Sequence, residues 1–123
     1  MDNMKFEAFC TLGRDPEQRY TPQGKLVTSV SAAAEVGSGD YKKTEWIQIT
    51  VWGEKFGNLF NGMVKKGTYV WVSGVPAVNA WKDKGGDAKA QINVTLKDFR
   101  ILRGGKSKDE AVEEETIYDG EEE

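Results

Sequence analysis

Apolar and polar residues alternate along three segments of the N-terminal half, and this alternation predicts three β-strands. The first covers residues 5–12 and the second residues 25–35, where small side chains occupy both faces. The third, residues 44–52, is rich in the β-branched and aromatic residues that strands favour. Its period of two places Ile47, Ile49 and Val51 on one face. We expect this aliphatic face to point into the core.

The opposite face of the third strand carries two tryptophans that the core does not need. It consists of Trp46, Gln48, Thr50 and Trp52. A third tryptophan, Trp81, comes just before a basic hairpin tip. Large flat π-surfaces that face solvent can stack on the bases of an unpaired strand. They can equally pack under a loop or at a subunit interface, and Trp71 could face either the core rim or a neighbouring subunit.

Turn signals fill the segment between the first two strands, so no strand is predicted there. Residues 14–16 and 20–24 supply two turns, and Pro22 and Gly24 are placed as in a type II turn.

A single amphipathic helix follows the third strand, because apolar residues then recur every three to four positions. These are Phe56, Leu59, Phe60, Met63 and Val64, and all five are predicted to lie in the core. Two further strands follow at residues 68–81 and 88–102, joined by a glycine-rich tip at 82–87. Five strands with one helix between the third and fourth predict an all-β protein, a five-stranded Greek-key OB-fold barrel.

Composition excludes several classes of protein. The chain has 123 residues, enough for one domain, and its apolar runs are too short to cross a membrane. One cysteine, Cys10, and no histidine leave no disulfide, no Cys/His zinc site and no histidine-based nucleophile. Phosphate-binding glycine loops are absent as well. We therefore expect a cytoplasmic, non-enzymatic protein without metal or cofactor, and a small, buried, unreactive Cys10.

Charge divides the chain into two parts. Residues 1–103 have a balance of +4 and residues 104–123 one of −7, within a total of −3. We expect an OB-fold domain at 1–103 and a disordered acidic tail at 104–123, because the tail has few apolar residues to bury. A tail that only increases solubility is the simpler alternative.

Lysines lie near the outward tryptophans and could contact phosphates. The candidates are Lys42 and Lys43 on the first tip, Lys55 after the third strand, Lys66 after the helix, and Lys82 and Lys84 on the last tip. Each alone is typical of a solvated surface. Only their position beside tryptophans suggests a binding site.

Several motifs resemble those of the bacterial single-stranded DNA-binding proteins. Residues 12–25 read LGRDPEQRYTPQGK, and Thr44-Glu45-Trp46, Trp52-Gly53, Val64-Lys65-Lys66-Gly67, Val72-Ser73-Gly74 and Trp81-Lys82-Asp83 follow in the family's order. The resemblance covers about residues 3–103. It implies a homotetramer of OB-fold subunits, although a dimer is possible, in which bases stack on Trp46, Trp52 and Trp81. It also implies that Lys5 and Lys66 lie near the nucleic acid.

The chain departs from this family in three places. The tip before the third strand is short and lacks the usual aromatic residue, unless Tyr41 takes its place. Residues 77–80 have no arginine where the family often does, which implies fewer phosphate contacts. The tail is short and lacks the terminal Pro-Phe pair that docks on partner proteins; Ile117 and Tyr118 could substitute, or the tail could compete with DNA for the basic groove. Short tails resemble phage-encoded or mobile-element-encoded members.

The sequence thus predicts a sequence-tolerant protein that coats single-stranded DNA during replication, recombination and repair, at the nucleoid. Its acidic tail could recruit replication and repair proteins. Two alternatives remain: a protein-interaction module such as a primosome-type accessory factor, and an RNA-binding OB domain.

Overall fold

The computed structural model describes residues 1–104, which form six β-strands, one α-helix and one short 3-10 helix. In chain order these are β1 (Phe6–Leu12), β2 (Glu17–Tyr20), β3 (Leu26–Val36), a 3-10 helix (Gly39–Tyr41), β4 (Lys43–Trp52), α1 (Glu54–Met63), β5 (Tyr69–Lys82) and β6 (Ala88–Arg103).

Five of the strands close into a barrel. β1 pairs with β5 along most of its length and with β3 through Thr11 and Leu12, which joins the two ends of the sheet. β4 runs parallel to β6 and antiparallel to β3. The helix α1 connects β4 to β5, the third and fourth strands of the barrel. The predicted all-β OB-fold barrel with its single helix is confirmed.

β2 is the strand that the sequence pattern does not predict. Its four residues pair antiparallel with β3, and every one of them is exposed. A strand that lies on an edge with both faces in solvent needs no alternation of apolar and polar residues, so the pattern gives no signal. The Gln18 side chain anchors β2 to β3 and to α1. Its amide donates hydrogen bonds to Thr28 Oγ1 and to Asn58 Oδ1, each at 3.0 Å.

The turn after β2 differs from the predicted type II. The Gly24 amide donates to the Thr21 carbonyl at 2.8 Å, so Gln23 occupies the position that has positive φ in a type II turn. Gln23 has negative φ, while Gly24 itself is left-handed at +87°. The geometry is that of a type I turn followed by a left-handed glycine, the usual three-residue hairpin connection.

The core is aliphatic and forms inside the barrel. Ile47, Ile49 and Val51 of β4 are buried as predicted. They pack with other buried side chains, chiefly Leu12, Val30, Phe60, Val70, Val72 and Val94. Phe60 meets Phe99 edge to face, with ring centroids 5.0 Å apart.

The prediction that all five apolar residues of the helix lie in the core is wrong for two of them. Phe60 and Val64 are buried and Phe56 is partly buried. Leu59 and Met63 are instead 53% and 52% exposed. The helix has only ten residues and contacts β3 and β4 along a narrow stripe, so its flanking positions remain in solvent.

β6, the last element that the structure describes, ends at Arg103. Apart from Gly104, the predicted acidic tail, residues 104–123, lies outside the described residues. No helix within residues 1–104 is long and apolar enough to cross a membrane. Across the same residues, no cluster of three or more metal-binding side chains is found.

Candidate nucleic-acid interface

The three candidate tryptophans lie on the same face of the sheet. Residues paired across neighbouring strands point to the same side, and so do every second residues along one strand. Trp46 and Trp52 therefore share a face with Gln48, which pairs with Asn93 of β6. On β6, Asn93 shares its side with Lys89, the partner of Trp81 on β5. We refer to this side of β3, β4, β5 and β6 as the outer face.

All three indoles are accessible on the outer face. Trp46 is 52% exposed, Trp52 49% and Trp81 45%, so each ring is partly supported and partly open. Strand geometry places Trp52 about 20 Å along β4 from Trp46, while Trp81 lies about 12 Å from Trp46 across two strands. The indoles are thus distributed across the face and do not form a cluster of their own.

Trp46 rests on the backbone of Gly13. A Cβ atom added at Gly13 would stand 2.7 Å from the indole Cζ3 and 3.0 Å from Cη2. Gly13 itself is held in place, because its amide donates to the Ser31 carbonyl at 2.9 Å. The absence of a side chain at residue 13 therefore lets the ring lie against the end of β1 with its other side open.

Trp52 lies beside the turn that connects β2 to β3. It lines a groove together with Gly24, Lys25, Gly53 and Glu54. The Gly53 amide donates to the Leu26 carbonyl at 2.9 Å, which fixes the chain where β4 passes into α1. Lys25 thereby becomes a cation next to an exposed indole.

The area between the tryptophans is polar but uncharged. Its residues are half-buried and carry hydroxyl or amide groups: Ser29, Ser31, Gln48, Thr50, Gln91, Asn93 and Thr95. The charged residues surround this area at the strand ends and hairpin tips. The outer face thus has a neutral centre and a basic rim.

Three of the predicted lysines form ion pairs with their own strand neighbours. Lys5 lies 3.5 Å from Glu7, Lys42 lies 3.4 Å from Glu35, and Lys43 lies 3.1 Å from Glu45. All of these side chains are largely exposed, so each pair contributes about 1 kcal/mol or less. A phosphate could displace such a carboxylate at little cost.

Four other predicted lysines make no ion pair with any residue in the described range: Lys55, Lys66, Lys82 and Lys84. Lys55 lies in the first turn of α1, three residues after Trp52. Lys82 and Lys84 follow Trp81 into the hairpin tip.

Lys66 belongs to the loop after α1, which is joined to the end of β1 next to Gly13. This loop is bonded to the end of β1, because the Gly67 amide donates to the Leu12 carbonyl at 2.9 Å. The Lys66 amide also donates to Asp15 Oδ1 at 2.8 Å. Lys5 is placed differently, in a groove with Trp71 and Lys97.

Sequence reasoning missed two cations at the outer face, Lys25 and Lys89. Lys89 occupies the same side of β6 as Asn93, a placement that the period of two along the last strand would have indicated. Lys89 lies 3.8 Å from Asp83 across the hairpin. No pattern in the sequence indicates that Lys25 lies beside Trp52.

Trp71 lies near the start of β5, ten residues before Trp81 and therefore at the other end of the strand. It pairs with the exposed Phe9 across β1 and β5, and its indole N–H donates to Glu7 Oε1 at 3.1 Å. Tyr41, the alternative stacking residue, is exposed in the short 3-10 helix between β3 and β4.

Cys10 lies in the barrel core and takes no part in this surface. It is buried on β1, and burial raises the pKa of its thiol to about 11. Because the thiolate is the reactive form, the group is protonated and inert at neutral pH, as predicted.

Comparisons with known proteins identify the family of the chain. Residues 4–102 match the model of the single-strand binding protein family. The chain is 33% identical over 97 residues to single-stranded DNA-binding protein 1 of Chlorobaculum tepidum, covering 74% of this chain and 59% of that protein. It is 29% identical over 94 residues to the single-stranded DNA-binding protein of Rickettsia conorii, covering 72% and 62%. The chain therefore spans about 60% of the length of these two relatives.

A solved structure shares the fold. The Plasmodium falciparum SSB in complex with ssDNA superposes with a TM-score of 0.66 at 22% identity, covering 83% of this chain and 99% of that one. The family match spans the whole barrel, from the residues before β1 to the end of β6. The chain belongs to the single-strand binding protein family.

Proposed function

We propose that this protein binds single-stranded DNA without strong sequence preference and coats unpaired strands during replication, recombination and repair. The proposed site comprises Trp46, Trp52 and Trp81 as stacking surfaces, with Lys5, Lys42, Lys43, Lys55, Lys66, Lys82 and Lys84 as phosphate contacts. No chemical step is proposed for it.

One observation carries this proposal: three accessible indoles share the outer face around a neutral centre. Unpaired bases expose the flat surfaces that stack on indoles, whereas a duplex buries them between neighbouring base pairs. Phosphates on the outside of such a strand would meet the lysines of the rim. The names of the relatives and of the solved complex agree with this ligand.

Assembly into a homotetramer, or a dimer, is part of the proposal. Phe6 to Cys10 pair with β5 on one side only, and within the described residues the other edge of β1 begins to pair at Thr11. Phe9 is exposed beside this free edge. An unpaired strand edge next to an exposed aromatic ring favours pairing with a second copy.

We further propose that the protein acts in the cytoplasm at the nucleoid, and that residues 104–123 recruit replication and repair proteins. This segment carries the charge balance of −7. It could also compete with DNA for the basic rim. Removing residues 105–123 should then raise the affinity for DNA at low salt and have less effect at high salt.

Removing the stacking surfaces tests the proposal. In OB-fold proteins that bind single strands, each base stacked on an aromatic residue contributes about 1–3 kcal/mol. Trp46→Ala and Trp52→Ala should each weaken binding of a thymidine oligonucleotide by about that amount, while Leu59→Gln, on the exposed flank of α1, should not. Unchanged affinity in the Trp46→Ala/Trp52→Ala double variant would refute the proposal.

Competition between ribose and deoxyribose oligonucleotides of the same sequence tests the RNA-binding alternative. Preference for the RNA would favour it. If tryptophan emission responded to a replication protein and to neither nucleic acid, the protein-interaction module would be favoured.

A further inference from the structure

Two amide side chains occupy the middle of the outer face. Gln48 of β4 and Asn93 of β6 are direct neighbours in the parallel register. Neighbouring strands lie about 4.8 Å apart, so the two side chains rise side by side from the sheet. Trp46 precedes Gln48 by two residues, which places its indole about 7 Å away on the same side.

Neither amide has a hydrogen-bond partner within the part of the chain that the structure describes. Both side chains are half-buried, and neither forms a side-chain hydrogen bond with any residue among 1–104. Gln18, another glutamine of the chain, is by contrast used to fasten β2. An amide group has two donor hydrogens and an acceptor oxygen. The side chains of Gln48 and Asn93 therefore place four donor hydrogens and two acceptor oxygens next to each other, available to a ligand.

A base stacked on Trp46 would bring its edge to this pair. The ring of such a base would lie parallel to the indole, and side chains that neighbour Trp46 on the same face could reach its polar edge. The Gly13 backbone lies against Trp46, while Gln48 follows on the same strand. Gln48 is thus the nearest polar group for a base edge that points along β4, and Asn93 stands next to it on β6.

We infer that Gln48 and Asn93 form a subsite for the hydrogen-bonding edge of a nucleobase held on Trp46. This inference rests on the proposed function and specifies how the same face holds one of its bases. The chemical class of ligand is any base edge that offers both a donor and an acceptor.

An amide subsite is compatible with tolerance of sequence. Lysine and arginine only donate hydrogen bonds, so they favour bases that present acceptors. A glutamine or asparagine can rotate its amide and meet either a donor or an acceptor. The pair would therefore strengthen binding of an unpaired base of any kind, while a base that is already paired would have its edge occupied.

A chemically modified oligonucleotide tests the inference. N3-methylthymidine keeps the aromatic ring that stacks on an indole and the phosphate that contacts the lysines. It lacks the N3–H hydrogen-bond donor at the edge of the base. We expect the unmodified protein to bind a thymidine oligonucleotide about two- to tenfold more tightly than its N3-methylated form, the range expected for one hydrogen bond. The Gln48→Met/Asn93→Leu variant, which keeps similar side-chain volumes, should bind the two forms equally.

Gln23→Met provides the control, because Gln23 lies in the exposed turn between β2 and β3 and should leave the discrimination unchanged. Equal binding of both oligonucleotides by the unmodified protein would overturn the inference and leave the proposed function intact. Discrimination that persists in the double amide variant would also overturn it, because the methyl group would then act sterically. Failure of the unmodified protein to bind either oligonucleotide would overturn the proposed function as well.

Discussion

Adding one methyl group at Gly13 should weaken DNA binding through Trp46. The new Cβ would stand 2.7 Å from Cζ3 of the indole and 3.0 Å from Cη2, whereas nonbonded carbon atoms settle at about 3.5–4.0 Å. The backbone of Gly13 is held by its hydrogen bond to Ser31. The ring must therefore move by about 1 Å or turn away from its present position.

The expected magnitude is a moderate loss of affinity with little change in folding stability. Stacking on one aromatic residue contributes about 1–3 kcal/mol, so losing part of it corresponds to a weakening of about 1 kcal/mol, or fivefold. Gly13 has a negative φ, which alanine accepts. The substitution also lowers the conformational entropy of the unfolded chain, which stabilises the folded state by about 0.4–1 kcal/mol. This stabilisation offsets the loss of stability from holding the displaced Trp46 ring away from its preferred rotamer, about 0.5–1.5 kcal/mol.

A double-mutant cycle measures this effect. Affinities for a thymidine oligonucleotide would be compared for Gly13→Ala, Trp46→Ala and the variant with both changes, by fluorescence or anisotropy titration. If residue 13 acts only by positioning the indole, Gly13→Ala has no further effect once Trp46 is removed. Gly62→Ala is the matched control, because a Cβ at Gly62 meets nothing within 4 Å. Wild-type affinity in Gly13→Ala, or an equal loss with and without Trp46, would show that residue 13 does not position the indole for binding.

Two further predictions concern the barrel itself. Phe60→Ala should lower the free energy of unfolding by about 3–5 kcal/mol, as measured by urea denaturation. Leu59→Gln and Met63→Gln should change it by less than about 0.5 kcal/mol. A large loss of stability in Leu59→Gln would mean that Leu59 belongs to the core. Because burial raises the pKa of Cys10 from 9.0 to about 11, the folded state disfavours the thiolate. The contribution of Cys10 to the free energy of unfolding should be constant below pH 9 and fall by about 2–3 kcal/mol between pH 9 and 11. The Cys10→Ala variant should lack this part of the loss. An identical dependence of stability on pH in that variant would contradict the raised pKa of Cys10.

The face of β4 is predictable from sequence because a strand alternates with a strict period of two. Because Ile47, Ile49 and Val51 point into the core, alternation places Trp46 and Trp52 on the opposite face of β4. The structure confirms this placement. The order of five strands and one helix similarly limits the fold to a small barrel. These features follow from local pattern and chain order alone.

Other features depend on contacts that the local pattern does not contain. β2 has no apolar alternation, since it is held at the edge by pairing with β3 and by the Gln18 side chain. Leu59 and Met63 fit the helical stripe, yet the width of the contact between α1 and the barrel decides that they stay exposed. The proximity of Gly13 to Trp46 and of Lys25 to Trp52 arises only when distant segments meet.

A fluorescence titration most directly tests the claim that the outer face binds unpaired bases. Tryptophan emission would be followed while a thymidine oligonucleotide, or a duplex of the same length, is added at low and at high salt. We expect strong quenching by the single strand, little by the duplex, and an affinity that falls with salt as phosphate contacts are screened. Equal quenching by both, or no quenching by the single strand at low salt, would contradict it.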